Sequence, residues 1–214
     1  VVIQLPVALT IAAALNRKLF GGSFFNSVFF LPMVISLVAI GMIWAWMYDP
    51  EIGIINLVLG KLGFDVKNLA WIGNTSTALL SIIITINWIY TGLYLVLFLA
   101  GLKNIPESLF EAAKVDGVSE LKTIIFIAVP LIRELIAVLI IMCISGAFRS
   151  FDLIWSMTGG GPVNATEIVT THLYKMAFRR MESGYASAIG VVIFLICLLI
   201  TVVQLKLMKA RPNE

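Results

Sequence analysis

Charge is what this chain has least of. Only 13% of its 214 residues are Asp, Glu, Lys or Arg and 60% are hydrophobic, where a soluble domain carries about 25% charged residues. The mean hydropathy is +1.03. These figures exclude a soluble domain and indicate an all-α, polytopic integral membrane protein, since a bilayer core leaves backbone polar groups no partner outside a helix or a closed barrel. Cysteine is scarce too. Cys143 and Cys197 lie inside apolar segments, where they read as packing residues and imply neither a disulfide nor a metal site. The one histidine, His172, reads as a surface residue.

Other absences narrow the function. No Gly-x-x-x-x-Gly-Lys-Ser/Thr phosphate loop occurs, so the chain is not itself an ATPase. No acidic side chain sits within a long uncharged run, which counts against an ion-coupled secondary transporter or a channel. No paired nucleophile and base and no metal-ligand spacing supports an intramembrane enzyme. The net charge of +3 and the basic isoelectric point arise in loops and tail, and give no support to a nucleic-acid partner.

What remains is a series of apolar runs. Residues 1–16 are uncharged but shorter than the roughly 20 residues a spanning helix needs, so they are expected to be the end of a span whose beginning lies upstream of Val1. Asn16-Arg17-Lys18 and Gly21-Gly22 close it in a cytoplasmic turn. Phe24 to Tyr48 is expected to form a second span, kinked at Pro32 and carrying Trp44, Trp46 and Tyr48 towards the outer interface. Residues 49–77 are turn-rich and read as an external loop, with a short interfacial helix around Ile54 to Leu59. Ala78 to Leu102 is a third, uncharged span. Its middle holds Asn87, Tyr90, Thr91 and Tyr94 on one helical face. Two readings stand for that face: it glues helices together, or it lines a polar translocation path.

A fourth span is expected from about Pro130 to Phe148, with Arg133 and Glu134 at its cytoplasmic start and Ser145 and Gly146 thinning its far end. Gly184 to Leu205 is the last, with small residues paired as Gly184/Ala188 and Ala186/Gly190. Between them, 149–183 reads as an external segment holding the glycine cluster 159–161. No Gly-Lys-Ser/Thr follows that cluster, so it is not a phosphate cradle. Lys and Arg are biased weakly inward. Arg17, Lys18, Lys103, Lys114, Lys122, Arg133, Lys206, Lys209 and Arg211 fall inside; Lys61, Lys67, Arg149, Lys175, Arg179 and Arg180 fall outside.

The longest charged passage between two apolar runs is 106–130. Glu107, Glu111 and Lys114 recur at helical spacing, and Gly117 is a natural stop. The passage therefore predicts a short surface helix, a turn, and a second helix re-entering the membrane at Pro130. Glu111-Ala112-Ala113, Gly117, Ile127, Val129 and Pro130 resemble the EAA loop of the membrane subunits of binding-protein-dependent ABC importers. Val129 is the one departure, standing where the pattern prefers Leu. Thr158, Gly160, Gly161, Pro162 and Thr166 resemble the Thr-Gly-Gly-Pro segment of the sugar-type branch. Phe-Leu-Pro at 30–32, Trp-Ala-Trp-Met-Tyr-Asp-Pro at 44–50 and Trp-Ile-Gly at 71–73 resemble that branch as well.

The resemblance implies a permease core of about five spans forming a single domain over 1–214, in a bacterial or archaeal inner membrane. It implies a cytoplasmic coupling loop at 102–123, where Glu111, Ala112, Ala113, Lys114, Asp116 and Gly117 contact an ATP-binding subunit. Leu102, Ile105 and Pro106 hold the root of that loop. It implies an external re-entrant loop within 149–183 around Thr158, Gly160, Gly161 and Pro162. The implied partners are a second permease subunit, two ATP-binding subunits that use ATP and Mg, and an extracytoplasmic solute-binding protein; no cofactor binds the chain directly. The implied cargo is a sugar or polyol, with Asn87, Tyr90, Thr91, Tyr94, Gly146, Ala147 and Ser150 as substrate contacts. A phosphorylated polyol or an amino acid is the alternative, and Arg149 is the one basic candidate to favour it.

Overall fold

The computed structural model describes residues 1–16, 22–66 and 69–209. Arg17, Lys18, Gly21, Lys67 and Arg211, which carry part of the expected charge and turn pattern, lie outside the described residues. All regular structure among the described residues is helical. The elements are α1 (Gln4–Leu15), α2 (Gly22–Val34), α3 (Leu37–Met47), α4 (Ile54–Lys61), α5 (Ala78–Lys103) and α6 (Glu107–Val115). They are followed by α7 (Glu120–Leu131), α8 (Arg133–Arg149), α9 (Asp152–Thr158), α10 (Val169–Tyr174) and α11 (Ser183–Lys209).

Two of these, α5 and the 183–203 part of α11, are each long and apolar enough to cross a membrane, and α1 is a shorter apolar helix. The other two expected spans are not continuous. Phe24 to Tyr48 is broken into α2 and α3 with a 97° bend. Pro32 lies in the last turn of α2, where its missing N–H deprives the Val28 carbonyl of a partner and helps end the helix. Ser36 then adopts an extended backbone and its carbonyl receives the Ile40 N–H, which starts α3. The break therefore falls after the proline, at 35–36. The expected fourth span is likewise divided. The helix begins at Glu120, well before Pro130, passes through a π-helical stretch at Ile124–Ala128, and turns by 81° at Ile132 into α8.

The chain divides into two compact units. The first comprises Val1–Val34, Trp88–Ile144 and Leu199–Glu214. Its core gathers Leu5, Ala8 and Ala12 of α1, Leu95, Phe98, Leu99 and Leu102 of α5, and Ala128, Ile132 and Leu139 beyond the charged loop. In a bilayer these contacts gain dispersion and fit more than transfer energy, because lipid tails are as apolar as leucine. Fit is closest at Gly92, where a Cβ would strike the Phe29 backbone carbonyl; α5 and α2 thus touch main chain to main chain.

The second unit comprises Ile35–Asn87 and Ser145–Leu198. Within it α3 lies along α9, and Gly41 makes room for the Ser156 hydroxyl. Tyr48, expected at the interface with Trp44 and Trp46, is instead buried, its hydroxyl donating to the Ser81 carbonyl at 3.1 Å. Trp46 is the exposed aromatic of the three. Asn56 of α4 fastens the loop that follows: its amide donates to the Pro50 and Leu69 carbonyls, and its oxygen accepts the Trp71 indole N–H at 2.7 Å. The Asp49 carboxylate receives the backbone N–H groups of Glu51 and Ile52, which hold its pKa below the ordinary aspartate value. Of the two small-residue pairs on α11, Ala186 is buried and Gly190 meets Leu173, while Gly184 faces open space and Ala188 is exposed.

Candidate functional site

The charged loop builds a compact object in the first unit. Leu102 and Ile105 at its root are buried in the core, and exposed Pro106 precedes the first turn of α6. Glu107 and Lys114 stand in the first and last turns of α6, each on the end whose backbone partial charge it complements. The helix closes as a left-handed cap. The Val118 N–H donates to the Ala113 carbonyl at 2.9 Å, and Gly117 sits at φ +69. Glu111, Ala112, Lys114 and Asp116 are exposed, whereas Ala113 is buried against its own chain at 3% exposure. Only one of the two alanines is thus available to a partner. Ser119 is extended, and α7 begins at Glu120.

Among the expected path residues, α5 carries Asn87, Tyr90, Thr91 and Tyr94 as one unbroken helix. Thr91 and Tyr94 are buried and Tyr90 packs beside the core. The Asn87 amide donates to the Ile83 carbonyl at 2.8 Å. On α8, Gly146 has open space where a side chain would project, and Ala147 is exposed. Ser150 is committed locally. Its hydroxyl donates to the Gly146 carbonyl, and its own carbonyl accepts the Thr170 hydroxyl at 2.6 Å.

The segment after α9 is held by side chains on both of its arms. The Thr158 and Thr166 hydroxyls lie 2.7 Å apart, Thr166 donates to the Gly161 carbonyl at 2.6 Å, and the Gly160 N–H reaches Thr158 Oγ1. Pro162, half-buried, follows Gly161 in a cis peptide. Beyond the turn, Lys175 Nζ bridges Asn164 and Glu167 at 3.1 Å each, and His172 Nδ1 lies 3.3 Å from Glu167. Burial pushes the Glu167 pKa up, but Lys175 and His172 outweigh it and leave the carboxyl below the ordinary glutamate range. His172, expected as a plain surface residue, therefore has a defined partner, and its ring meets Tyr185 edge-on. Phe151, Trp155, Tyr174 and Phe178 form a continuous aromatic stack beside it, with the Arg179 guanidinium 5.1 Å over Trp155.

Sequence reasoning missed Gln4 and Asn56. Gln4 is buried at 6% exposure in the core of the first unit, with Oε1 3.6 Å from Cys143 Sγ. A lone amide in the otherwise apolar opening run is the signal that could have found it. Asn56 is flanked by apolar residues in the same way.

A helical membrane protein with broken spans and a capped surface helix between the unbroken α5 and the broken span that follows defines a class, and comparison with known proteins assigns the family. The family described as "Binding-protein-dependent transport system inner membrane component" matches residues 4–211. The chain belongs to that family. It is 38% identical to the probable ABC transporter permease protein YurN of Bacillus subtilis, over the whole chain and 74% of that protein. It is 36% identical to the diacetylchitobiose uptake system permease protein NgcF of Streptomyces coelicolor, over 89% of this chain and 57% of NgcF. The arabinooligosaccharides transport system permease protein AraP of Bacillus subtilis is 31% identical over the whole chain and 68% of AraP. In fold it matches a bacterial ABC transporter that imports alginate, with a TM-score of 0.86 over 99% of this chain and 74% of that one, at 20% identity. The protein is thus an inner-membrane permease component and not an enzyme.

Proposed function

We propose that this chain is a membrane-spanning subunit of an ATP-driven importer for a neutral sugar or related polyol, working with a second permease subunit, two ATP-binding subunits and a solute-binding protein. The observation that carries the reading is the exposed row Glu111, Ala112 and Lys114 on a helix whose root is buried in the core and whose end is fixed by the Gly117 cap. Such a helix transmits a push instead of absorbing it. The ATP-binding subunits supply the nucleotide site and its Mg; this chain supplies the surface they move. Nucleotide shifts the equilibrium only through contacts that differ between inward-open and outward-open states. The names of the relatives NgcF and AraP support a saccharide cargo. Aromatic rings and uncharged hydrogen-bonding groups, here Asn87, Tyr90, Thr91 and Tyr94 with the open ground at Gly146 and Ala147, suit such a cargo. The outer loop around Thr158, Gly160, Gly161 and Pro162 is the surface we assign to re-entry towards the path.

The test is copurification of the full-length subunit with its ATP-binding partner, comparing wild type with Glu111→Lys. Reversing the charge at the contact is expected to lower stimulated ATPase activity by about tenfold, the scale of losing one charge-assisted interface bond. An unchanged stimulation would remove Glu111 from the interface, and a wild type that retains no ATPase would remove the importer reading.

A further inference from the structure

A buried amide should be satisfied at both ends, because leaving a polar group unpaired away from water costs stability. Gln4 is not. Among the described residues its Oε1 takes only the weak thiol contact from Cys143, and its Nε2 is fully buried with no acceptor. The surroundings sharpen the point. Leu5, Ala8, Ala12, Leu95 and Leu139 belong to the same apolar core, so a leucine at position 4 would satisfy every packing demand. What distinguishes the spot is a second polar group: the Cys143 thiol also meets the Tyr94 hydroxyl. Gln4 from α1, Tyr94 from α5 and Cys143 from α8 thus converge on one polar spot inside the membrane, with one strong donor unspent.

We propose that Gln4 is a substrate-contacting residue of the translocation path, its Nε2 donating to a sugar hydroxyl when the helices part, with Tyr94 and Cys143 forming the adjoining wall. The proposal rests on the sugar-importer reading above. It assigns the cost of an unpaired donor in the resting core to the interaction made in transit, since a stabilising residue could have stood there instead.

The test uses the full-length importer in nanodiscs with its binding protein. The solute is whichever of xylose, arabinose and diacetylchitobiose the wild type transports. Gln4→Leu is expected to leave the thermal midpoint unchanged or raise it, while lowering transport by about tenfold, the effect of one lost hydrogen bond in a dry site. Gln4→Asn, which keeps the donor, should restore part of the rate. A fall in thermal midpoint with transport lost in proportion would overturn the proposal, because it would make Gln4 a structural residue. A second measurement needs no knowledge of the solute. In a Cys197→Ala background, N-ethylmaleimide should label Cys143 at different rates in the nucleotide-free and vanadate-trapped states. Equal, negligible labelling in both states overturns the proposal even if sugar is transported. If the wild type moves none of the three sugars, the Cys143 rates alone decide whether this spot opens to the path.

Discussion

At Gly117 the backbone stands at φ +69 and nothing lies within 4 Å of the position a Cβ would take. Strain and crowding can therefore be separated. Asparagine tolerates the left-handed region and should preserve the cap, whereas valine should cost about 1–2 kcal/mol and fray the end of α6. In the assembled importer, Gly117→Asn is expected to retain stimulated ATPase activity and Gly117→Val to lose much of it; equal activities would mean the turn is not needed. The glycine was legible because a stop after a charged helix has few other solutions. Tyr48 was not. Trp44, Trp46 and Tyr48 look alike in sequence, and only the phase of α3 turns Trp46 outward and Tyr48 in to the Ser81 carbonyl. Gln4 escaped for the same reason: the run that holds it offers no period to say which side faces the core.

At the scale of elements, the segment from α9 to α10 joins two kinds of information. Its glycines and threonines stood out as a cluster, but the residues that fasten it, Thr170 and Lys175, lie later in the chain and reach back through side chains to Ser150, Asn164 and Glu167. No local pattern announces such bonds. The Glu167 carboxyl is held below its ordinary pKa in the folded state, so its contribution to stability is complete at neutral pH and disappears on acidification. The difference in thermal midpoint between wild type and Glu167→Gln should accordingly be full at pH 7 and close as the pH falls below 4.5, the ordinary glutamate value. A difference that persists at lower pH would show that Glu167 acts through packing and not through charge.

For the whole molecule, the apolar runs were legible because a bilayer demands them, and the breaks were not. Each break depends on where a proline falls within a turn and on a residue beyond it, Ser36 or Ile132, that leaves the helical backbone. If the charged loop faces the cytoplasm and the Gly-Gly-Pro loop the outside, Val115 and Val163, at 87% and 89% exposure, lie on opposite sides. Val115→Cys and Val163→Cys should then be labelled by an impermeant maleimide from opposite faces of oriented vesicles, and labelling from one face would refute that topology. The two π-helical stretches among the described residues, Ile124–Ala128 and Lys175–Arg179, bear on how such chains diverge. A π turn uses one residue more than an α turn to close. A relative that lacks one residue in either stretch closes it as ordinary helix with the rungs beyond left on the face they already present, whereas one of equal length that closed it as ordinary helix would swing those rungs by roughly 100° about the axis, the angle between successive residues at 3.6 per turn. A gap of one position there would therefore record the loss of a π turn with the following face kept, where the same gap in an ordinary stretch of helix would record a rotation of that face.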